Sequence, residues 1–371
     1  MSAGRLAAIA VWAVGCATQF KPEADSGAGN ASGDMSASGS SSAGPASSSG
    51  GGGGSGSSSG SAGVSGSGGS SGDGTGSGTG GTGSGVAGSG SASGDGGATN
   101  VPSCPATSTL QPGDTNATIS VGGTTRQYIV HVPTSYTGKT AVPLVTDWHP
   151  ILLDYNYERQ YSGYASKADQ EGFIVVFPNG INNAWNVGPC CTTSRSVDDV
   201  GFAKALIAKI EGQACIDTKR VYAVGYSMGG GMAMKLACDA ADIIAAVAPA
   251  AFDLMDPSNG WNCQPSRPIT VISFRSTGDP VVPYTGGATH PPNGLPITIT
   301  FLGAVGTFQK WAQLDQCSGS PTDNSSLGTG CQTYTQCAKG VDVTLCTKQG
   351  GGHDTGDPNV GWSMIKGYTL P

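Results

Sequence analysis

From Thr118 to the C-terminus, short β-branched runs alternate with longer stretches in which apolar side chains recur every three or four positions. The first pattern suits buried strands and the second amphipathic helices, so the alternation predicts strands and crossover helices of one largely parallel sheet. Strands are expected near Arg126 to Val132, Val142 to Asp147, Phe173 to Phe177, Val221 to Gly225, Ile244 to Ala248, Ile269 to Phe274 and Val341 to Cys346. Helices are expected at Arg159 to Glu171, Asp199 to Gln213, Ser227 to Cys238 and Val305 to Asp315. Asp198-Asp199 should cap the second of these, because an aspartate there satisfies amides that lack an intrahelical acceptor. Gly122-Gly123 interrupts the first β-rich stretch and predicts an antiparallel hairpin at the sheet edge.

Ahead of this domain the periodicity disappears. Ser26 to Thr99 is almost wholly Gly, Ser, Ala and Thr, and most of the chain's 62 glycines lie there. Such a segment cannot bury enough surface to repay its ordering entropy and reads as a disordered, flexible linker. The 371 residues therefore divide into an export signal at 1–20, a Gly/Ser-rich linker at 21–100 and one α/β domain at 101–371. In the signal, Arg5 precedes the apolar run Leu6 to Val14, and small residues lead to Cys16. Ala13-Val14-Gly15-Cys16 fits a lipid-accepting cysteine, and an ordinary signal cleaved near Ala17 fits as well.

Charge and cysteine content narrow the partners. The net charge is −7 with no basic cluster interleaved with aromatics, which argues against nucleic acid. No apolar run reaches the roughly 18 residues of a membrane span. Setting Cys16 aside from the 11 cysteines leaves an even set: Cys104, Cys190, Cys191, Cys215, Cys238, Cys263, Cys317, Cys331, Cys337 and Cys346. In an exported chain that set predicts disulfides rather than a zinc site, with the last four pairing among themselves.

The sharpest chemical signal is Gly225-Tyr226-Ser227-Met228-Gly229, set between the apolar strand Val221-Tyr222-Ala223-Val224 and the helical run Met232-Ala233-Met234-Lys235-Leu236-Ala237. G-x-S-x-G in a strand–turn–helix context presents a serine hydroxyl on a strained turn, clear of the sheet. It also sets the Met228 amide at a helix N-terminus, where negative charge on a reacting carbonyl oxygen is stabilised. A serine needs a base, and the chain has 4 histidines. In hydrolases with this turn the chain order is Ser, acid, His. That order leaves His290 and His353, and His353 is favoured because it follows the last strand across Gly350-Gly351-Gly352. Asp279, in Ser276-Thr277-Gly278-Asp279-Pro280, is the preferred acid to fix the imidazole tautomer. Asp253 and Asp256 are its rivals.

A second oxyanion donor is expected from the loop Asp147-Trp148-His149-Pro150-Ile151. Pro150 has no N–H, so Ile151 is the candidate, with His149 shaping the turn. Trp185, in a loop with the vicinal Cys190-Cys191, is a candidate for stacking on a ring-containing substrate or, equally, for buried packing against the loop disulfide; His149, which packing alone also explains, and Tyr226 are further candidates for substrate contact.

Gly225-Tyr226-Ser227-Met228-Gly229-Gly230-Gly231-Met232-Ala233, Trp185-Asn186, Val197-Asp198-Asp199-Val200-Gly201-Phe202, Ile216-Asp217-Thr218-Lys219-Arg220-Val221-Tyr222 and Gly350-Gly351-Gly352-His353, in that combination, resemble the secreted feruloyl esterases and polyhydroxybutyrate-depolymerase-like esterases. The resemblance implies an α/β-hydrolase fold with helices on both faces of the sheet and a triad of Ser227, Asp279 and His353. It implies ester hydrolysis without metal or organic cofactor, on an ester of a polysaccharide or polyester. The chain departs from the family at His149-Pro150, where His-Gly is common, and at Asp354-Thr355-Gly356, where an aromatic often follows the histidine. Feruloyl ester hydrolysis on plant cell-wall polysaccharide by an extracellular or cell-surface monomer is the leading expectation. A polyhydroxybutyrate depolymerase is the alternative within the class. A noncatalytic carbohydrate- or polymer-binding lipoprotein is the alternative outside it.

Overall fold

The computed structural model describes residues 104–192 and 195–371. The expected export signal, Cys16 and the linker lie outside the described residues. Twelve strands are described: β1 (Gly113–Val121), β2 (Thr124–Val132), β3 (Val142–Trp148), β4 (Ile174–Pro178), β5 (Ile216–Tyr226), β6 (Ala246–Ala250), β7 (Thr270–Ser276), β8 (Gly287–Thr289), β9 (Ile299–Phe301), β10 (Thr322–Asp323), β11 (Cys331–Tyr334) and β12 (Val343–Lys348). Ten of them form one sheet in the order β1-β2-β4-β3-β5-β6-β7-β12-β11-β10, while β8 and β9 pair as a separate ribbon. From β4 to β12 every pairing is parallel, and antiparallel strands close both edges.

The edges follow from local chemistry. The β1–β2 hairpin turns through Gly122 and Gly123, both at positive φ (56° and 78°), the backbone that a two-residue hairpin of matching twist demands. The inner strands are covered on both faces, and β4 is buried at all its positions. Along β5 the side chains alternate between two cores: Val221 and Ala223 in one, Tyr222 and Val224 in the other. The first core takes Phe202 and Leu206 of α3 (Asp199–Glu211), Met232 and Leu236 of α4 (Met228–Asp239), and Phe308 and Trp311 of α5 (Gly303–Leu314). The second takes Ala165 and Ala168 of α2 (Tyr164–Glu171) and Trp362 and Ile365 of α6 (Pro358–Ile365). None of the described helices is long and apolar enough to cross a membrane.

Three expectations are corrected. The helix expected at Arg159 to Glu171 is two, α1 (Tyr155–Tyr161) and α2, because Gly163 takes φ 81° between them and Asp154 caps the first by accepting from the Asn156 and Tyr157 amides. Strand β6 starts two residues later than expected, since the Ile244 amide is still bonded to the Ala240 carbonyl (3.0 Å) at the end of α4. Asp198 does cap α3, through the Gly201 amide (2.7 Å), but Asp199 is buried and pairs with Arg126 (2.8 Å). The cysteines join as Cys104–Cys215, Cys190–Cys191, Cys238–Cys263, Cys317–Cys337 and Cys331–Cys346, so the last four do pair among themselves.

Candidate active site

Strand β5 runs directly into α4, and the residue at the bend is Ser227, with φ 55° and ψ −122°. Such a backbone is unfavourable for a residue with a Cβ and persists only where its surroundings enforce it. Here the Ser227 amide donates to the Ala250 carbonyl (2.9 Å) and its carbonyl accepts from Gly231 (3.0 Å). The bend also needs glycine beside it. A Cβ on Gly225 would sit 2.7 Å from the Trp148 carbonyl oxygen, and one on Gly229 would overlap that same oxygen. The two small residues thus let helix, elbow and β3 approach.

The structure brings the sequence-predicted triad together from three loops. His353 Nε2 lies 2.7 Å from Ser227 Oγ, and His353 Nδ1 lies 3.0 and 2.9 Å from the two Asp279 oxygens. Asp279 is itself oriented: its Oδ1 accepts from the Val281 and Val282 amides at 2.8 and 2.9 Å. The His353 loop is pinned from two sides. The Tyr226 hydroxyl donates to the His353 carbonyl (2.6 Å), so Tyr226, expected at the substrate, instead positions the histidine. Asp354 accepts from Ser276 Oγ (2.9 Å), Lys348 Nζ (3.0 Å) and the Gly352 amide (3.1 Å). The acidic residue in place of a family aromatic therefore knots the loop. Burial would raise the Asp354 carboxyl, but these donors outweigh it and hold it below its usual range.

The rival acids are engaged elsewhere. Asp253 is fully buried in an ion pair with Arg275, whose guanidinium also approaches Asp279 (3.7 Å) and donates to the Val282 carbonyl (2.6 Å). Burial pushes Asp253 up to about 7 against the pull of Arg275. Asp256 accepts from the Ser258 amide in a turn. Arg275 escaped the sequence reading because only the adjacency of β6 and β7 brings Asp253 to it.

Met228 and Ile151 both line a pocket that opens on Ser227. The Met228 amide begins α4, where the first amides lack an intrahelical acceptor. The Leu152 amide, next to Ile151, is spent on the Asn183 carbonyl (2.9 Å). His149 and Trp185, both expected at the substrate, are fully buried and do not face it. His149 Nε2 accepts from the Gly180 amide (2.9 Å), Nδ1 donates to the Pro150 carbonyl (2.8 Å), and its carbonyl accepts from Trp185 Nε1 (2.8 Å). Burial drives His149 down to about 4, so it is a neutral strut of the turn. His290, the other histidine that the chain order left open, is exposed and also lines the pocket.

Beneath the elbow, Asp147 and Glu158 face one cavity with Tyr226 and Gly225. Burial pushes Asp147 up to about 7, and burial together with the Asp147 charge pushes Glu158 well above its usual range. Two touching buried carboxyls cannot both ionise, so the folded pair retains a proton that the unfolded chain releases. The pair's contribution to stability should therefore be greatest at acid pH and fall as pH rises from the ordinary carboxyl range through 7. Glu158→Gln is expected to flatten that slope and raise Tm at pH 8, by an amount equivalent to about 1–3 kcal/mol. Melts at pH 5 and pH 8 check it, and an equal drop in Tm between them for variant and parent would count against a shared proton.

The strand order, the serine at the strand-to-helix bend and the Ser-Asp-His chain order define an α/β-hydrolase fold. Its sequence is 44% identical to feruloyl esterase B of Piromyces equi over 251 residues, which cover 66% of this chain and 46% of that protein. The chain thus spans about half the length of that relative. It is 26% identical over 275 residues to feruloyl esterase C of Emericella nidulans, covering 73% of this chain and 89% of that one. Among solved structures, acetyl xylan esterase from Aspergillus awamori superposes with a TM-score of 0.50 at 16% identity, over 68% of this chain and 98% of that one, which speaks for the fold alone. No family model matches. The chain is thus similar in sequence to feruloyl esterases and has the fold of an α/β-hydrolase.

Proposed function

We propose that the chain is an exported serine carboxylic-ester hydrolase that releases ferulate or related acids from esters of plant cell-wall polysaccharide. The observation that carries the chemistry is the 2.7 Å contact from His353 Nε2 to Ser227 Oγ, with Asp279 holding the opposite ring nitrogen. Asp279 accepts a hydrogen bond from Nδ1–H, which keeps the proton on that nitrogen and leaves the Nε2 lone pair aimed at the hydroxyl. Ser227 Oγ attacks the ester carbonyl carbon as His353 takes its proton. The Met228 amide, with Ile151 as the second donor, stabilises the oxyanion. His353 then protonates the leaving alcohol, and water enters by the same route to free the acid.

The substrate class rests on similarity to feruloyl esterases and on the apolar character of the pocket beside Ser227. Export is supported by the disulfides, which suit an oxidising compartment. A panel of acetyl, feruloyl and 3-hydroxybutyrate esters tests the assignment. The highest kcat/KM is expected on methyl ferulate and feruloylated arabinoxylan. Clearing of polyhydroxybutyrate with no release of ferulate would replace it with the depolymerase reading.

A further inference from the structure

We infer that His290 is the residue by which this pocket selects a hydroxylated aromatic acid, accepting a hydrogen bond from the phenolic hydroxyl of a 4-hydroxycinnamoyl group. The inference rests on the esterase reading above and names the group on the acid that the site distinguishes. The wall facing Ser227 is built largely from apolar side chains, among them Phe252, Val281, Val282, Ile299 and Phe301. Such a wall suits a flat hydrocarbon ring and offers nothing to a sugar hydroxyl. Thr289 turns its hydroxyl to the Val281 carbonyl (3.3 Å).

His290 is the polar exception on the rim, and its tautomer is fixed by its neighbour. Nδ1 lies 3.0 Å from the Ile297 carbonyl oxygen. A carbonyl oxygen only accepts, so in the neutral ring Nδ1 carries the proton and Nε2 presents a lone pair, which is open to solvent because His290 is exposed. The loop is also held in place. Asn293 Nδ2 donates to the Cys191 carbonyl (2.7 Å), tying the His290 loop to the Cys190–Cys191 turn, and both cysteines line the same pocket. An acceptor on a braced loop, lining the same largely apolar pocket as the nucleophile, suits a ring that carries a hydrogen-bond donor. Water satisfies that exposed acceptor in the free protein, so discrimination against the analogue without the hydroxyl arises where the bound ring covers Nε2 and displaces that water.

The test is the ratio of kcat/KM on methyl ferulate to that on methyl 3,4-dimethoxycinnamate, which has the same ring with its hydroxyl capped. The parent should prefer ferulate, and His290→Leu should reduce that ratio about tenfold, through KM more than kcat. His290→Gln, which keeps an acceptor, should recover part of the preference. Asn293→Ala, which loosens the loop and leaves the imidazole, should lower the ratio by a smaller factor and serves as the second probe should His290→Leu fold poorly. An equal loss on both esters in His290→Leu, or an unchanged ratio in both variants, would overturn the inference while leaving the esterase reading intact. A parent that cleaves acetyl esters but no aryl ester would overturn both.

Discussion

Ser227→Ala is expected to lower kcat on methyl ferulate by about 10⁴- to 10⁶-fold with little change in KM, and His353→Ala to do about the same. The two losses should not add, because Ser227 Oγ and His353 Nε2 share one proton across 2.7 Å and neither acts without the other. Asp279→Asn should cost about 10⁴-fold, since an amide side chain can present its NH₂ to Nδ1 and turn the Nε2 proton toward the serine. Folding should survive in Ser227→Ala, whose hydroxyl makes no contact on which the elbow backbone depends. A fluorophosphonate probe should label the parent and not this variant. Persistent labelling, or a kcat within tenfold of the parent, would move the nucleophile elsewhere and return the noncatalytic binding alternative to consideration.

The elbow was legible in the sequence because the features that create it are local. A β-branched strand, two glycines whose Cβ atoms would strike neighbouring backbone, and a helical run leave the serine nowhere else to go. His353 and Asp279 were legible through chain order, which reflects how successive parallel strands deliver their following loops to one edge of the sheet. What stayed hidden was which face of a loop a side chain takes. His149 and Trp185 are residues that often touch ligands, and only their mutual hydrogen bond and full burial show that they brace the β3 loop. His290 is exposed, as Thr289-His290-Pro291-Pro292 suggests, but nothing in that run reveals that it lines the same pocket as Ser227. The helix break at Gly163 had its signal in Ser162-Gly163, but periodicity continued across it. Short strands such as β10 and β11 hold too few residues for a period to show.

Arg275→Met is expected to destabilise the domain by about 3–5 kcal/mol, a larger loss than its similar volume would suggest. The guanidinium is wholly buried between two carboxylates, pairing with Asp253 and lying 3.7 Å from Asp279, and it donates to the Val282 carbonyl at 2.6 Å. Methionine fills the space but leaves Asp253 buried without its cation. Asp253 already titrates near 7 because burial outweighs that cation, so losing Arg275 drives it higher still. The folded state then keeps a proton that the unfolded chain gives up in the ordinary carboxyl range. The destabilisation should therefore be small near pH 4 and grow as pH rises through 7 and beyond. Asp253→Asn added to Arg275→Met should restore much of the loss at pH 8, since the uncompensated charge is gone. The single variant should also lower kcat, because the Val281–Val282 turn that orients Asp279 is held by the same guanidinium. Urea midpoints at pH 5 and pH 8 for the parent, the single variant and the double variant decide the matter. A single-variant loss below about 1 kcal/mol at both pH values would mean that the pair contributes nothing net, as can happen when desolvation cancels attraction, and that Asp279 owes its orientation to the two backbone amides alone.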